Sequence, residues 1–260
     1  MKVNSLFAVL LLAGSTFASA VNVVSPACLA VMPVDSTQNP IIIAVPWVQS
    51  GASSTNTISI TNFVLTANLT AMSGSDAATG DLLQWYDVAN KEYKSWVVKN
   101  DGGGSASYWD PVQVVASDGS GSKGTNTTAQ ILKQGDALML TRRNPTTSKP
   151  VYLVGQVGTN ETVEVSITPA ADASTPSYTL IAPPYAESDK VDIASVLSAS
   201  SGSFSPGDML ILSGSGSGAT WNGSAWAGAS TIRRGRGVWY KRVGTSALTI
   251  QWSSVPKVTY

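Results

Sequence analysis

Two aspartates, Asp81 and Asp208, follow a glycine in the related stretches GDLLQW and GDMLIL. A pair of carboxylates can hydrolyse a glycosidic bond without histidine when the two groups face each other across about 5 to 10 Å. The competing interpretation is structural, because an Asp after a Gly at a turn commonly accepts hydrogen bonds from nearby backbone N–H groups. The sequence favours the structural role, so a carboxylate-dependent glycoside hydrolase is the least favoured function.

The composition removes most other catalytic chemistry. The 260 residues include no histidine and one cysteine, Cys28. A Ser-His-Asp triad, a Cys-His pair, histidine or thiolate metal sites and an intrachain disulfide are therefore excluded. The sequence also lacks a phosphate-binding GxxxxGK[ST] loop and a spaced aspartate series for calcium. We expect no catalytic residue, no metal and no cofactor.

The aromatic residues are the first candidates for ligand binding. An exposed ring can stack on the apolar face of a sugar, although repeated aromatics in a β protein more often pack in the core. Adjacent rings such as Trp239-Tyr240 must point to opposite faces of a strand, so only one of them is needed in a given core. The predicted ligand-binding residues are Trp96, Trp109, Trp221 and Trp226.

One run of the sequence concentrates positive charge. Such side chains can bind an anionic glycan, a phosphate group or an acidic partner. They can equally line a solvated hairpin and protect its edge from pairing with another sheet. The predicted anion-binding residues are Arg233, Arg234, Arg236, Lys241 and Arg242.

The N-terminal 20 residues have the pattern of a secretory signal peptide. Lys2 precedes the apolar run Leu6 to Ala13, and the segment ends in Ala18-Ser19-Ala20. We predict an exported protein located outside the cell, on its surface or in the periplasm, without a transmembrane segment. The 16 basic and 16 acidic residues balance, so we expect no nucleic-acid partner.

The chain contains two related copies of one pattern. Leu132 to Arg142, LKQGDALMLTR, matches Ile232 to Arg242, IRRGRGVWYKR. Ile43 to Trp47 likewise matches Ile181 to Tyr185. We predict an internal duplication with a first β unit at 21–157, a joint at 158–160 and a second β unit at 161–260, the two units abutting because the joint is short.

Short β-branched and aromatic runs between Gly, Pro, Asn and Asp turns predict an all-β fold. Each unit is expected to be a small β-sandwich or a barrel-like sheet. The stretch 188–197, SDKVDIASVL, predicts one short helix with Ser188 as its N-cap.

These motifs resemble a family of uncharacterised exported bacterial β-rich repeat proteins. The matching residues are Ile43 to Trp47, Gly80 to Asp87, Tyr93 to Trp96, Gly135 to Arg142 and Tyr152 to Val157. The resemblance implies an exported β-rich module and supplies no catalytic residue. The expected function is a non-catalytic structural or cell-surface protein that associates with itself or with an envelope protein. The alternative is a glycan-binding module that uses exposed aromatic rings.

Overall fold

The structure, a computed structural model, describes residues 27–32, 40–45, 47–48, 57–59, 64–66, 80–88, 90–100, 107–112, 131–143, 151–157, 163–183, 190–212, 217–233 and 235–252. The predicted signal peptide at 1–20 and the predicted joint at 158–160 lie outside these residues. We call the strands before the joint unit one and those after it unit two.

Unit one contains the strands β1 (Ala27–Met32), β2 (Ile41–Ala44), β3 (Trp47–Val48), β4 (Thr57–Ser59), β5 (Val64–Thr66), β6 (Leu82–Asp87), β7 (Glu92–Asn100), β8 (Ser107–Val112), β9 (Ile131–Lys133), β10 (Ala137–Thr141) and β11 (Val151–Val157). Unit two contains β12 (Val163–Ile167), β13 (Ser177–Ile181), β14 (Lys190–Asp192), helix α1 (Ile193–Val196), β15 (Leu197–Ser201), β16 (Met209–Leu212), β17 (Gly218–Trp221), β18 (Trp226–Gly228), β19 (Thr231–Arg233), β20 (Val238–Arg242) and β21 (Leu248–Trp252).

The strands pair in the same order in both units. Each unit has a five-stranded antiparallel sheet, β2-β10-β6-β7-β8 in unit one and β13-β20-β16-β17-β18 in unit two. In each unit a further strand pair forms a small sheet, β4-β9 and β14-β19. The last strand of each unit also pairs with its first strand and with β5 or β15, and β11 pairs in addition with β3, which has no counterpart among the described residues of unit two. This matching order supports the proposed duplication, which stays a prediction.

Unit two is built as two layers around one core. Strand alternation turns Val163, Val165 and Ile167 inward from the three-stranded sheet while Glu164 and Ser166 are exposed. From the five-stranded sheet, Val238, Tyr240 and Leu210 enter the same buried cluster. The packing of two sheet faces over shared apolar side chains is the arrangement of a β-sandwich.

The all-β prediction is confirmed, because the described residues form antiparallel sheets with a single short helix. That helix, α1, is shorter than predicted and begins later. Residues 190–192 are in β14, and the N-cap is Asp192, whose side chain accepts a hydrogen bond from the Ala194 N–H at 3.2 Å. Ser188 lies outside the described residues. Strand pairing of β14 with β19 therefore replaces the first part of the predicted helix.

The repeated glycines form the same turn in both units. The Asp136 N–H donates to the Lys133 carbonyl, and the Arg236 N–H donates to the Arg233 carbonyl, both at 3.1 Å. The third residue of each turn has a positive φ, 95° at Gly135 and 76° at Gly235, which favours glycine.

The two units touch through a region that we call the junction, formed by residues 42–44 and 135–137 of unit one and residues 180–182 and 235–237 of unit two. The Ala44 N–H donates to the Gly235 carbonyl and the Ala182 N–H donates to the Gly135 carbonyl, each at 2.9 Å. Its apolar side chains form one buried cluster, composed of Ile42, Ala44, Ala137, Leu180 and Ala182.

The two five-stranded sheets leave β8 and β18 as their outer edges. β8 contains Pro111, which lacks an N–H, and β18 has three residues. In the described parts of the chain, no helix combines the length and the apolar character needed to cross a bilayer.

Candidate functional site

Asp208 lies in the interior of unit two and has several donors. Its side chain is 0% exposed, and its Oδ2 accepts from Arg242 Nη1 at 2.6 Å and from the Tyr240 hydroxyl at 2.8 Å. The same oxygen accepts from the Ser205 N–H at 3.0 Å, and Oδ1 accepts from the Val243 N–H at 2.9 Å. Burial and the adjacent carboxylate raise the pKa of Tyr240, so the phenol remains protonated and acts as a donor.

Asp81 has the matching environment in unit one. Its carboxylate is 0% exposed and lies 2.8 Å from Arg142 Nε, the counterpart of Arg242. Its Oδ1 accepts from the Arg143 N–H at 2.8 Å. A buried carboxylate that is paired with an arginine and accepts hydrogen bonds from the backbone has a structural role, here at the end of a β-sheet. The structure is therefore inconsistent with a hydrolase in which Asp81 and Asp208 are two facing, solvent-accessible carboxylates.

The structure does not assemble the predicted anion site. Arg242 is 1% exposed because it faces the unit-two core, where Asp208 holds it, and Arg236 is only 8% exposed at the junction. Lys241 points to the opposite face of β20 and is half-buried, whereas Arg233 is exposed. Arg234 lies outside the described residues. The prediction of one anion-binding run is wrong for Arg242, which strand alternation turns into the core, and for Arg236, which is buried where its backbone bridges Ile43 at the junction.

The four predicted ligand-binding tryptophans have different environments. Trp96 is 0% exposed, so it cannot stack on a ligand, and that expectation is wrong. The side chain of Trp109 lies outside the described residues. Trp221 and Trp226 are partly buried, with ring centroids 5.5 Å apart, and Phe204 lies 5.0 Å from Trp221. Trp226 also packs against the unit-two core.

A second group of rings spans both units, and we call it the aromatic cluster: Tyr86 and Tyr93 of unit one with Tyr178 and Trp239 of unit two. Trp239 lies edge-on to all three tyrosines, at centroid distances of 5.3 Å to Tyr86, 6.4 Å to Tyr93 and 6.3 Å to Tyr178. Tyr93 is 42% exposed and Tyr178 is 38% exposed. They are the exposed large hydrophobic residues in the part of the chain with described side chains.

Sheet register explains why these four rings meet. Tyr86 and Tyr93 are direct cross-strand partners in the β6–β7 pair, with ring centroids 5.1 Å apart. Trp239 follows a buried core residue, Val238, and therefore faces outward. Tyr178 opposes Lys241, on the same outward face of the second five-stranded sheet. Tyr86 and Trp239 also pack against the junction core, which fixes the cluster in place.

Within the cluster, the surroundings of Tyr93 favour its neutral form. Burial raises the pKa of Tyr93, and the neighbouring Tyr86 raises it further, so the phenol stays protonated near neutral pH. Near the end of the same hairpin, Lys94 Nζ lies 2.8 Å from Asp87 and 5.4 Å from the centre of the Trp85 ring. Burial alone would raise the pKa of Asp87, but hydrogen bonds from Lys94 and Asn90 hold it below its usual value.

The cluster offers a binding surface and no reactive group. Its phenols and indole supply apolar faces with polar rims, which suit contact with a protein or a sugar. Within the described residues, no group of three or more His, Cys, Asp or Glu side chains is arranged to hold a metal ion.

Sequence reasoning identified Trp239 as one of two rings on opposite strand faces, but it did not include Tyr178 among the binding candidates. The local signal was present, since Tyr178 is the second residue of β13 (Ser177–Ile181), a short run rich in strand-forming residues. What was missing is the long-range register that sets β13 beside β20.

No family model, no curated protein and no solved structure matches this chain. The function is therefore inferred from the geometry of the chain itself.

Proposed function

We propose that this protein is an exported, non-catalytic structural or cell-surface protein that associates with a second copy or with an envelope protein through the aromatic cluster. The observation that carries the proposal is the cluster of four rings built from both units, in which Tyr93 and Tyr178 remain 42% and 38% exposed.

The chemistry of the rings supports protein association. Tyrosine and tryptophan are enriched at the centres of protein interfaces because they bury a large area at a small entropic cost and keep a polar group at the rim. In this protein the exposed rings of Tyr93 and Tyr178 already contact Trp239, and Trp239 packs against the junction core. A prearranged surface loses little conformational freedom when a partner binds.

The buried acidic groups support the non-catalytic part of the proposal. Asp81 and Asp208 each have an arginine partner and backbone donors in their own unit. Neither carboxylate is free to accept a proton from a substrate, because both are 0% exposed.

The test is the mass of the protein in solution. If the protein associates with itself, light scattering coupled to size-exclusion chromatography should find the wild type above the monomer mass. If it associates with an envelope protein, chemical crosslinking on cells should join the two. The double variant Tyr93→Ser/Tyr178→Ser should lose this association while keeping its far-UV circular dichroism, which reports the sheets. Glu164→Ser, an exposed change on β12, is the matched control. A wild type that is monomeric and uncrosslinked under all conditions contradicts the proposal.

Glycan binding is the second candidate, and the composition of the cluster favours it specifically. Tyr178 and Trp239 lie on the same sheet face as the cation Lys241, and the phenols of Tyr86 and Tyr93 adjoin Trp239, which gives both ring faces and polar groups for sugar hydroxyls. Glycan-array screening followed by tryptophan-fluorescence titration tests this candidate. Binding that Tyr93→Ser/Tyr178→Ser abolishes supports it, and no response to any glycan removes it.

A further inference from the structure

The contacts at the junction come in matched pairs. Sequence comparison aligns Ala44 with Ala182 and Gly135 with Gly235. The hydrogen bond from the Ala44 N–H to the Gly235 carbonyl is matched, at the same 2.9 Å, by the bond from the Ala182 N–H to the Gly135 carbonyl. Exchanging the two units converts one bond into the other.

The bridges between the strands obey the same rule. Ile43 lies opposite Arg236, and its counterpart Ile181 lies opposite Asp136, the counterpart of Arg236. Such reciprocal contacts are the mark of a two-fold interface between identical subunits, in which residue i contacts j and j contacts i. The junction is therefore an intramolecular version of a symmetric dimer interface.

The symmetry is broken at two adjacent positions. A Cβ added to Gly237 would lie 2.8 Å from the Cβ of Ala137, its counterpart in unit one. The same added atom would lie 2.8 Å from Ile42 Cγ2 and from the Ile181 carbonyl. One glycine and one alanine fit at this contact, whereas two alanines would overlap. The neighbouring counterparts Asp136 and Arg236 carry opposite charges.

We propose that the junction is a recognition surface that selects a unit of the other kind, so that two chains can pair by exchanging units. Unit one of one chain then binds unit two of a second copy through the contacts seen within a single chain. Pairing of two copies of unit one would bring Ala137 against Ala137 and place two Asp136 carboxylates at one interface. Pairing of two copies of unit two would place two Arg236 side chains there and leave a gap between two glycines. This proposal does not depend on the proposed function.

A complementation experiment with full-length chains tests the proposal. Ala137→Glu damages the unit-one side of the junction, and Gly237→Glu damages the unit-two side. In a mixture of the two variants, unit two of the first chain and unit one of the second are both intact. After joint refolding of equal amounts, mass photometry or light scattering should detect a one-to-one heterodimer, which differential tags identify. Each variant alone, at the same total concentration, is the matched control.

The experiment distinguishes three outcomes. A heterodimer that forms only in the mixture supports the proposal. A mixture that remains monomeric overturns it, and so does equal dimerisation of each variant alone, which would remove the selectivity. Near-UV circular dichroism checks the unit-two core, which contains neither substituted residue. Ala137→Leu with Gly237→Ala repeats the test with smaller changes if a glutamate variant fails to fold. Association through the aromatic cluster would also dimerise each variant, so both variants carry Tyr93→Ser/Tyr178→Ser as a common background, and the two proposals then fail independently.

Discussion

At the scale of single residues, Asp208 organises one end of unit two. It joins β16 to β20 through Arg242 and Tyr240, and it also holds the backbone after β20 through the Val243 N–H. A buried charge pair of this kind contributes less than its short distances suggest, because both ions lose their hydration. Removing one partner is costly, because the other charge is left buried.

Asp208→Asn is expected to lower the free energy of unfolding by about 3 kcal/mol, because it leaves the Arg242 guanidinium without its counter-ion. Urea denaturation followed by tryptophan fluorescence measures the change. Asp172→Asn is the matched control, since Asp172 is exposed and an amide oxygen can still accept from the Ser174 N–H. A loss no larger than that of the control would contradict a structural role for Asp208.

Because of Asp136, we expect the free energy of unfolding to depend on pH. Desolvation at the junction raises the pKa of Asp136 to about 6, although the Lys133 N–H and charge act in the opposite direction. The folded state therefore holds this proton more tightly than the unfolded state, whose Asp pKa is about 3.9. The stabilising contribution is complete below about pH 4 and is lost as the pH rises through about 6.

Asp136→Asn should remove this dependence and stabilise the protein at pH 7.5 by at most about 3 kcal/mol, since one unit of pKa difference corresponds to about 1.4 kcal/mol. The amide oxygen can still accept the bond that the Lys133 N–H donates to the carboxylate at 2.7 Å. Thermal melts of both proteins from pH 4 to pH 8 measure the difference. Parallel pH profiles for the two proteins would contradict the assigned pKa.

At the scale of elements, strand alternation decides which side chains face the core and which face outward, where they can bind a ligand or a partner. The basic run near Arg233 looks continuous in sequence, yet β20 turns Arg242 into the core and Lys241 outward. In the same way β7 buries Trp96 and exposes Tyr93. The alternation itself could be predicted from the sequence. The choice of the inward face could not, because it depends on partners such as Asp208 that lie on other strands.

The fold class followed from local signals, since short β-branched runs between turn residues determine strand formation. The Gly135 and Gly235 turns were likewise visible in the sequence as a repeated pattern. The aromatic cluster was not visible, because Tyr178 and Trp239 come together only through the pairing of β13 with β20, and Tyr86 joins them only at the contact between units. Such long-range register leaves no periodic trace in a single sequence.

Gly237→Ala tests the close contact between β10 and the start of β20. The new methyl group would lie 2.8 Å from the Cβ of Ala137, so we expect a loss of about 1–3 kcal/mol from overpacking. Adding Ala137→Gly should recover part of that loss, because it vacates the space of one methyl group. A double-mutant cycle by urea denaturation measures the coupling. Additive effects would show that the two residues do not share this contact.

At the scale of the whole molecule, the chain is two similar β units joined through a small apolar junction. In the described parts of the chain each sheet is made of strands from one unit only. The described contacts between units are the junction core, the aromatic cluster, a few backbone hydrogen bonds and the close approach of Gly135 to Val163 and Val165. Contacts this limited are compatible with separation of the units under mild conditions.

Export remains a prediction that can be checked directly. If residues 1–20 are a signal peptide, the exported protein begins at Val21, because the Ala18-Ser19-Ala20 sequence suits cleavage after Ala20. Mass spectrometry of protein from the medium or the envelope fraction measures the N-terminus. Protein that stays in the cytoplasm with residues 1–20 attached would contradict the prediction.

The outer edges of the two five-stranded sheets are poorly suited to pairing with a strand of another chain. Pro111 interrupts the row of donors along β8, β18 offers only three residues, and the inner edges at β2 and β13 are occupied at the junction. Fibril growth by addition of strands needs long edge strands whose backbone N–H and C=O groups are unpaired. Addition of a strand from another chain is therefore disfavoured at the outer edges of both five-stranded sheets.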